Sequence, residues 1–489
     1  MIWTTEQRYR RIEDARPDEV TQLKEKVKAC KWRQTFHIQP ETGLLNDPNG
    51  FSYYNGEYHL FYQWFPLGPV HGLKYWYHTK SKDLVHWENV GVGIEPSSYF
   101  DSHGAYSGSA IEHEGKLYLL YTGNTRDENW LRHPYQCLAI MNEQNEIQKL
   151  EHPVIASIPN GYTDHYRDPK VWKEGSLFYA VIGAQRESKD GCAVLYRSSD
   201  LLNWQFQGEL STNLKDFGYM WECPDYFELD EQGVLLFCPQ GIMPKEDNFH
   251  NIYQSGYILG NKLDVNNLSM PHGSFHELDK GFDFYAPQTI QAPDGRRILV
   301  GWMGLPDIEY PTDNSGWAHC LTLPRELSIR NGKLIQQPVK ELESLRGEQQ
   351  NVEDLLNHDK KVYDAFSGTA FEMICHFENY DAEEFGIEFR AGEIEKTIIK
   401  YDAAERKVVL DRTLSGESVA EDYGTVRKGY LKAQKIKFHM YVDTSSVEIF
   451  VNDGEEVFTS RIFPNSDSQD IRFFSNGKTR FNATKWDYQ

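Results

Sequence analysis

Three acidic residues stand beside or near prolines at distant points of the chain. They are Asp47 in Asn46-Asp47-Pro48-Asn49-Gly50, Asp168 in Arg167-Asp168-Pro169, and Glu222 in Trp221-Glu222-Cys223-Pro224-Asp225. Asx residues with Pro and Gly make tight turns on their own account, and that explains the first segment as well as chemistry does. Three such segments, each next to a strand-forming run, suggest more. If they meet in one cavity, their like charges raise at least one pKa and leave one carboxyl protonated near neutral pH. Glycoside hydrolysis needs such a pair: one carboxylate attacks or activates water, and the other protonates the departing oxygen. Glu222 has the higher intrinsic pKa and longer reach, which suits the acid. Asp47, on the most constrained turn, suits the nucleophile. Asp168 would hold sugar hydroxyls or stabilise positive ring charge, with Arg167 lowering its pKa and keeping it ionised.

Carboxylates so far apart need a scaffold that returns the chain repeatedly to one place. Five similar segments do this, with turn glycines at Gly56, Gly115, Gly175, Gly233 and Gly295, 58 to 62 residues apart. Each precedes a run rich in Val, Ile, Leu, Phe and Tyr. A period this regular suggests a repeated supersecondary unit, and five stranded units suit a five-bladed β-propeller. Ser81–Trp87 and Ser198–Trp204 echo one another as a turn followed by an aromatic strand residue. Trp87 and Trp204 are expected to pack between sheets.

The 489 residues exceed one ordinary core, and a net charge of -22 argues against nucleic acid and anionic membrane as partners. Seven scattered cysteines carry no zinc spacing. The first residues do not resemble a signal peptide, and no run is apolar enough to span a membrane, so a cytoplasmic location is expected. The layout reads as all-β beyond an N-terminal extension at 1–32. That extension carries a helix over Asp18–Lys28 and packs outside the first domain. The propeller follows at 33–335, a linker at 336–360 and a β-sandwich of about eight strands at 361–489.

NDPNG, RDP and WECPD in this order resemble the β-fructofuranosidase clan, glycoside hydrolase family 32, over nearly all of residues 33–489. The resemblance implies a five-bladed propeller followed by a sandwich. It implies Asp47 as nucleophile, Glu222 as acid/base and Asp168 as transition-state stabiliser, with net retention through a fructosyl-enzyme intermediate. It places Asn46 and Gln63 on the sugar, with Trp64, Tyr106, Ser107, Arg167 and Trp302 around the pocket. Tyr106 replaces the family's common phenylalanine. Bacterial cytosolic members suggest sucrose 6-phosphate, and sucrose, as the small sugar substrate. Arg126, Arg132 and His133 are candidates to face a phosphate. An exo-acting fructanase on levan or inulin, a transfructosylase and a binding protein without turnover are the alternatives. No cofactor or catalytic metal is expected. His78 reads as an interior histidine, and Arg325-Glu326 as a pair fastening the last blade.

Overall fold

The structure, a computed structural model, describes residues 3–488. Five sheets, antiparallel but for one short edge pairing in the first, follow one another between residues 43 and 338. Their innermost strands are Gly43–Tyr54, Ala105–His113, Tyr162–Glu174, Met220–Leu229 and Tyr285–Gln291. These five strands pack side by side in a closed ring. Each sheet then runs outward through hairpins. Apolar clusters fill the wedges between neighbouring sheets, for example Phe61, Trp76, Leu117 and Tyr121 between the first two. Fully burying one such side chain contributes roughly 1.5–3 kcal/mol, so the wedges hold the ring together.

The expectation of a β-propeller made from one repeated, stacked unit needs correction. The sheets are not equivalent: two have five strands and three have four. After Met303 the chain leaves the fifth sheet. It adds Trp317–Ala318 in parallel to Gly43 and Leu44 of the first sheet, returns as Cys320–Leu321, and only then completes its own sheet. The domain is propeller-like, five curled sheets around a central cavity, with one unit spent on closure. The turn glycines mostly keep their expected place. Gly56, Gly115, Gly175 and Gly295 sit at positive φ between an innermost strand and the next. In the fourth sheet Asp230 and Glu231 take the left-handed turn positions instead.

The helix Pro17–Lys28 begins with proline at its first turn and carries Asp18 and Glu19 there, and Lys26 and Lys28 at its end, matching the helix dipole. The N-terminal extension does more than coat the outside. Trp3, Tyr9, Ile12 and Val20 pack on the core of the first sheet, and Tyr9 reaches the central cavity.

The segment 336–360, expected as a linker, contains the strand Arg346–Asn357, which pairs with Lys478–Tyr488. That strand is rich in charged and amide side chains and buries only Leu356, so it lacks the apolar period that marks a half-buried strand. The C-terminal region is a β-sandwich of two six-stranded sheets, twelve strands rather than about eight. Phe377, Phe385, Phe438, Phe473 and Phe481 fill its core.

Buried charge joins the two regions. Arg325 donates to Glu448 at 2.6 and 3.2 Å, to Asp279 at 3.1 Å and to Thr459 at 2.6 Å. Its partner is therefore a sandwich glutamate, not the adjacent Glu326. His37 lies between Asp443 at 2.8 Å and Glu448 at 3.0 Å. Breaking such a buried pair by removing one member costs about 3–5 kcal/mol. Burial alone would lower the His37 pKa, but the hydrogen bonds and charges of Asp443 and Glu448 outweigh it and raise it to about 9. A raised folded pKa gives stability that is complete below the unfolded value, ~6.5, and disappears as pH rises through about 9. The contribution is on the order of 3 kcal/mol. His37→Gln should therefore lower Tm more at pH 6 than at pH 10. Equal losses in thermal melts at both values would show that His37 is not a cation in the folded chain.

Candidate active site

Each innermost strand breaks register at the same level of the ring. The ladder skips between Leu45 and Pro48, Ala105 and Gly108, Arg167 and Lys170, Glu222 and Asp225, and Tyr285 and Gln288. Four of the five breaks contain a proline, which cannot donate to a ladder, and the second contains Gly108. The expected turn before a strand is therefore a bulge inside one. At Asp168, Cys223 and Ala286, each just before its proline, φ is +68, +48 and +48°. Holding a non-glycine residue there costs on the order of 1–3 kcal/mol and re-aims its side chain.

The bulges bring Asp47, Asp168 and Glu222 from three sheets to one cavity of about 300 Å³. The Cys223 thiol touches both aspartates, at 3.5 Å from Asp47 and 3.6 Å from Asp168. Asp47 accepts from Ser107 Oγ at 2.5 Å and Asn46 Nδ2 at 3.1 Å. Behind it, Lys74 Nζ donates to Asn46 Oδ1 at 2.7 Å, Asn46 to Gln63 at 2.7 Å, and Gln63 to Ser107 at 2.7 Å. Asp168 accepts from the Cys223 backbone N–H at 3.0 Å. Glu222 accepts four hydrogen bonds: Arg167 at 2.6 and 3.2 Å, Gln240 at 2.8 Å and the Tyr285 hydroxyl at 2.6 Å.

Burial raises the Asp47 pKa; the Ser107 and Asn46 hydrogen bonds and Lys74 oppose the shift, while Glu222 adds to it. Asp168 is also raised, first by burial and then by Glu222 and Asp47, against the pull of Arg167. Arg167 does pull Asp168 down, as expected, but burial outweighs it and the net shift is upward. Its guanidinium is spent on Glu222 and reaches Asp168 only at 4.0 Å. Lys74 is pushed down to about 7, by burial first, with Asp47 opposing.

Asn46, Gln63, Tyr106, Arg167 and Trp302 line the cavity with the three acids. The Trp302 indole N–H is buried without a partner. Ser107 lies beneath, in the throat of the ring. Trp64 does not reach the cavity. Strand alternation turns it away from Gln63 into the core, where its indole donates to Thr42. Of the three candidates for a phosphate, Arg132 lines the cavity. His133, next along the same strand, faces out and pairs with Asp127 at 3.1 Å. His78 is interior and bonded to His59. Sequence reasoning missed Lys74, Gln240 and Tyr285. Tyr285 alone had a signal: Tyr285-Ala286-Pro287 repeats in the fifth sheet the placement of Glu222-Cys223-Pro224 in the fourth. A second cavity of about 670 Å³ opens among Lys170, Trp172 and Arg297. It is larger, but none of the three acids lines it.

A propeller-like ring with a sandwich behind it, and three acids in a sugar-sized pocket, is the architecture of a glycoside hydrolase. The family model described as glycosyl hydrolases family 32 N-terminal domain matches residues 37–338, and that described as glycosyl hydrolases family 32 C terminal matches residues 341–487. The chain belongs to glycoside hydrolase family 32. It is 50% identical to the sucrose-6-phosphate hydrolase of Staphylococcus xylosus over 99% of this chain and 98% of that protein. The structure of sucrose-6-phosphate hydrolase from Lactobacillus gasseri matches with a TM-score of 0.94 and 39% identity, covering 99% of both chains. The Bombyx mori GH32 beta-fructofuranosidase matches at 0.85 and 32%, covering 98% of this chain and 99% of that one.

The shift at Asp47 has a kinetic consequence. The resemblance makes Asp47 the attacking carboxylate, which must be ionised, and on that expectation the acid limb of kcat/KM should lie above the ordinary aspartate value of ~3.9. Ser107→Ala removes a hydrogen bond that favours the ionised form and should move the limb to higher pH. A pH–rate profile with no displacement would show that Ser107 does not tune Asp47.

Proposed function

We propose that this chain is a retaining β-fructofuranosidase that hydrolyses sucrose 6-phosphate, and sucrose, with Asp47 as nucleophile and Glu222 as acid/base. The observation that carries the assignment is the meeting of Asp47, Asp168 and Glu222, one from each of three sheets, on one cavity. Asp47 attacks C2 of the fructosyl unit while Glu222 passes its proton to the glycosidic oxygen. The C2–O bond breaks and glucose 6-phosphate, or glucose, leaves. Glu222, now a carboxylate, takes a proton from water, whose oxygen displaces Asp47 from C2. Fructose is released with net retention, and both acids return to their starting states. Asp168, beside the reacting centre, accepts from fructose hydroxyls and stabilises positive charge on the ring. Arg167, Gln240 and Tyr285 hold Glu222 in place.

A cavity of about 300 Å³, walled by Tyr9 and Trp302, has room for a disaccharide. The names of the relatives point the same way. The proposal includes a cytoplasmic setting, because a sugar phosphate is an anion that does not cross a bilayer unaided. No helix among the described residues is long and apolar enough to cross a membrane.

Asp47→Asn and Glu222→Gln should each lower kcat on sucrose 6-phosphate by roughly 10³-fold or more while Tm changes little. Near-normal turnover by either purified variant would overturn the role given to that residue.

A further inference from the structure

Arg132 at the cavity wall and Arg126 on the neighbouring strand lack the anion that their placement calls for. Arg126 and Arg132 face each other across the hairpin of Lys116–Arg126 and Arg132–Met141. Like charges directly opposite on paired strands are destabilising. Nε and Nη1 of Arg132 and Nε of Arg126 are buried without a hydrogen-bond partner. Arg132 lines the cavity beside Tyr9, Tyr106 and Arg167. Burial, Arg167 and Arg126 all weaken its hold on its proton, and Asp164 opposes them without coming close enough for an ion pair. Asp127, in the hairpin loop, is occupied by His133 and by the N–H groups of Asn129 and Leu131. Arg167 differs, because Glu222 pairs with it. Arg126 is held in place, donating to the Trp130 carbonyl at 2.9 Å with its guanidinium over the Trp130 ring. Trp130 in turn packs edge-on against Tyr9.

We propose that Arg132 and Arg126, with the Tyr9 and Tyr106 side chains, form the subsite that receives the phosphate of a 6-phosphorylated leaving sugar. This rests on the fructosidase reading above. A phosphate monoester carries close to two negative charges at neutral pH, with three acceptor oxygens. Two guanidinium forks match it in charge and geometry. Cation repulsion that is unfavourable in the empty cavity is relieved when the phosphorylated substrate enters. A neutral disaccharide gives no such relief, so the subsite is a selectivity device. Tyr106, which lines the cavity beside Arg132, adds a hydroxyl at this wall.

The test is kcat/KM for sucrose 6-phosphate and sucrose in wild type, Arg132→Gln, Arg132→Lys and Arg126→Gln, with glucose 6-phosphate as a competitive inhibitor. Wild type should prefer the phosphorylated substrate. Arg132→Gln should lose roughly 10- to 100-fold on it, the worth of a charge-assisted hydrogen bond or two, and far less on sucrose. Inhibition by glucose 6-phosphate should weaken in parallel. Arg132→Lys keeps the charge without the fork and should retain part of the preference, which guards against misfolding of the glutamine variant. Equal losses on both sugars, or an intact preference in Arg132→Gln, would overturn the subsite and leave the hydrolase standing. Wild-type protein that cleaves neither sugar would overturn the hydrolase reading itself.

Discussion

The register break in each innermost strand is the constraint on which the rest of the molecule depends. An unbroken ladder would point alternate side chains into the wedges between sheets and leave the ring's axis without chemistry. Proline prevents this at Pro48, Pro169, Pro224 and Pro287 by withholding a donor where the ladder needs one. The displaced residues, Asp47, Asp168 and Cys223 among them, turn toward the axis. Three of the five bulges hold a non-glycine residue at positive φ. The apolar wedges must offset that strain, so the hydrophobic packing between sheets and the geometry of the carboxylates are one problem.

The electrostatics follow from this crowding. Asp47 and Asp168 share a cysteine thiol as neighbour, and burial raises both. Arg167 lies close enough to lower Asp168, yet its hydrogen bonds go to Glu222. Desolvation therefore exceeds the single cation. Lys74 balances Asp47 from behind through Asn46 rather than by direct contact. Each ionisable group in the cavity is thus set by several others, and changing one charge alters its neighbours.

The cavity also needs parts from outside the ring. Tyr9 comes from the N-terminal extension, held by the Arg8 carbonyl accepting from the Leu73 N–H at 2.7 Å. The fifth sheet is fastened to the sandwich through Arg325, Asp279, Glu448 and Thr459. Asp283 extends this seam, accepting from Arg412 at 2.8 Å and from the Tyr310 hydroxyl at 2.5 Å. Among the described residues, the sandwich contributes none to the cavity lining. Its part is to brace the sheet that carries Tyr285 and Trp302.

Local chemistry was legible in the sequence. Acidic residues next to prolines, turn glycines at a regular spacing, and a helix opened by Pro17 all act through backbone geometry within a few residues. The sequence alone therefore determined that acids sit at constrained points of a repeating β framework and that a second β region follows. The tertiary structure decided what depends on neighbours remote in the chain. It turned Trp64 into the core while leaving Gln63 on the cavity, because the ring fixes which face of a strand looks inward. It paired Arg167 with Glu222 rather than with the adjacent Asp168, gave Arg325 to a glutamate in the sandwich, and used part of the fifth unit to close the ring. It also set Arg126 against Arg132 with no ion pair to either among the described residues. Hydrogen bonds and charge pairs are made across space, and their partners in this chain lie tens to hundreds of residues apart. No local pattern encodes that choice; the closing of the ring makes it.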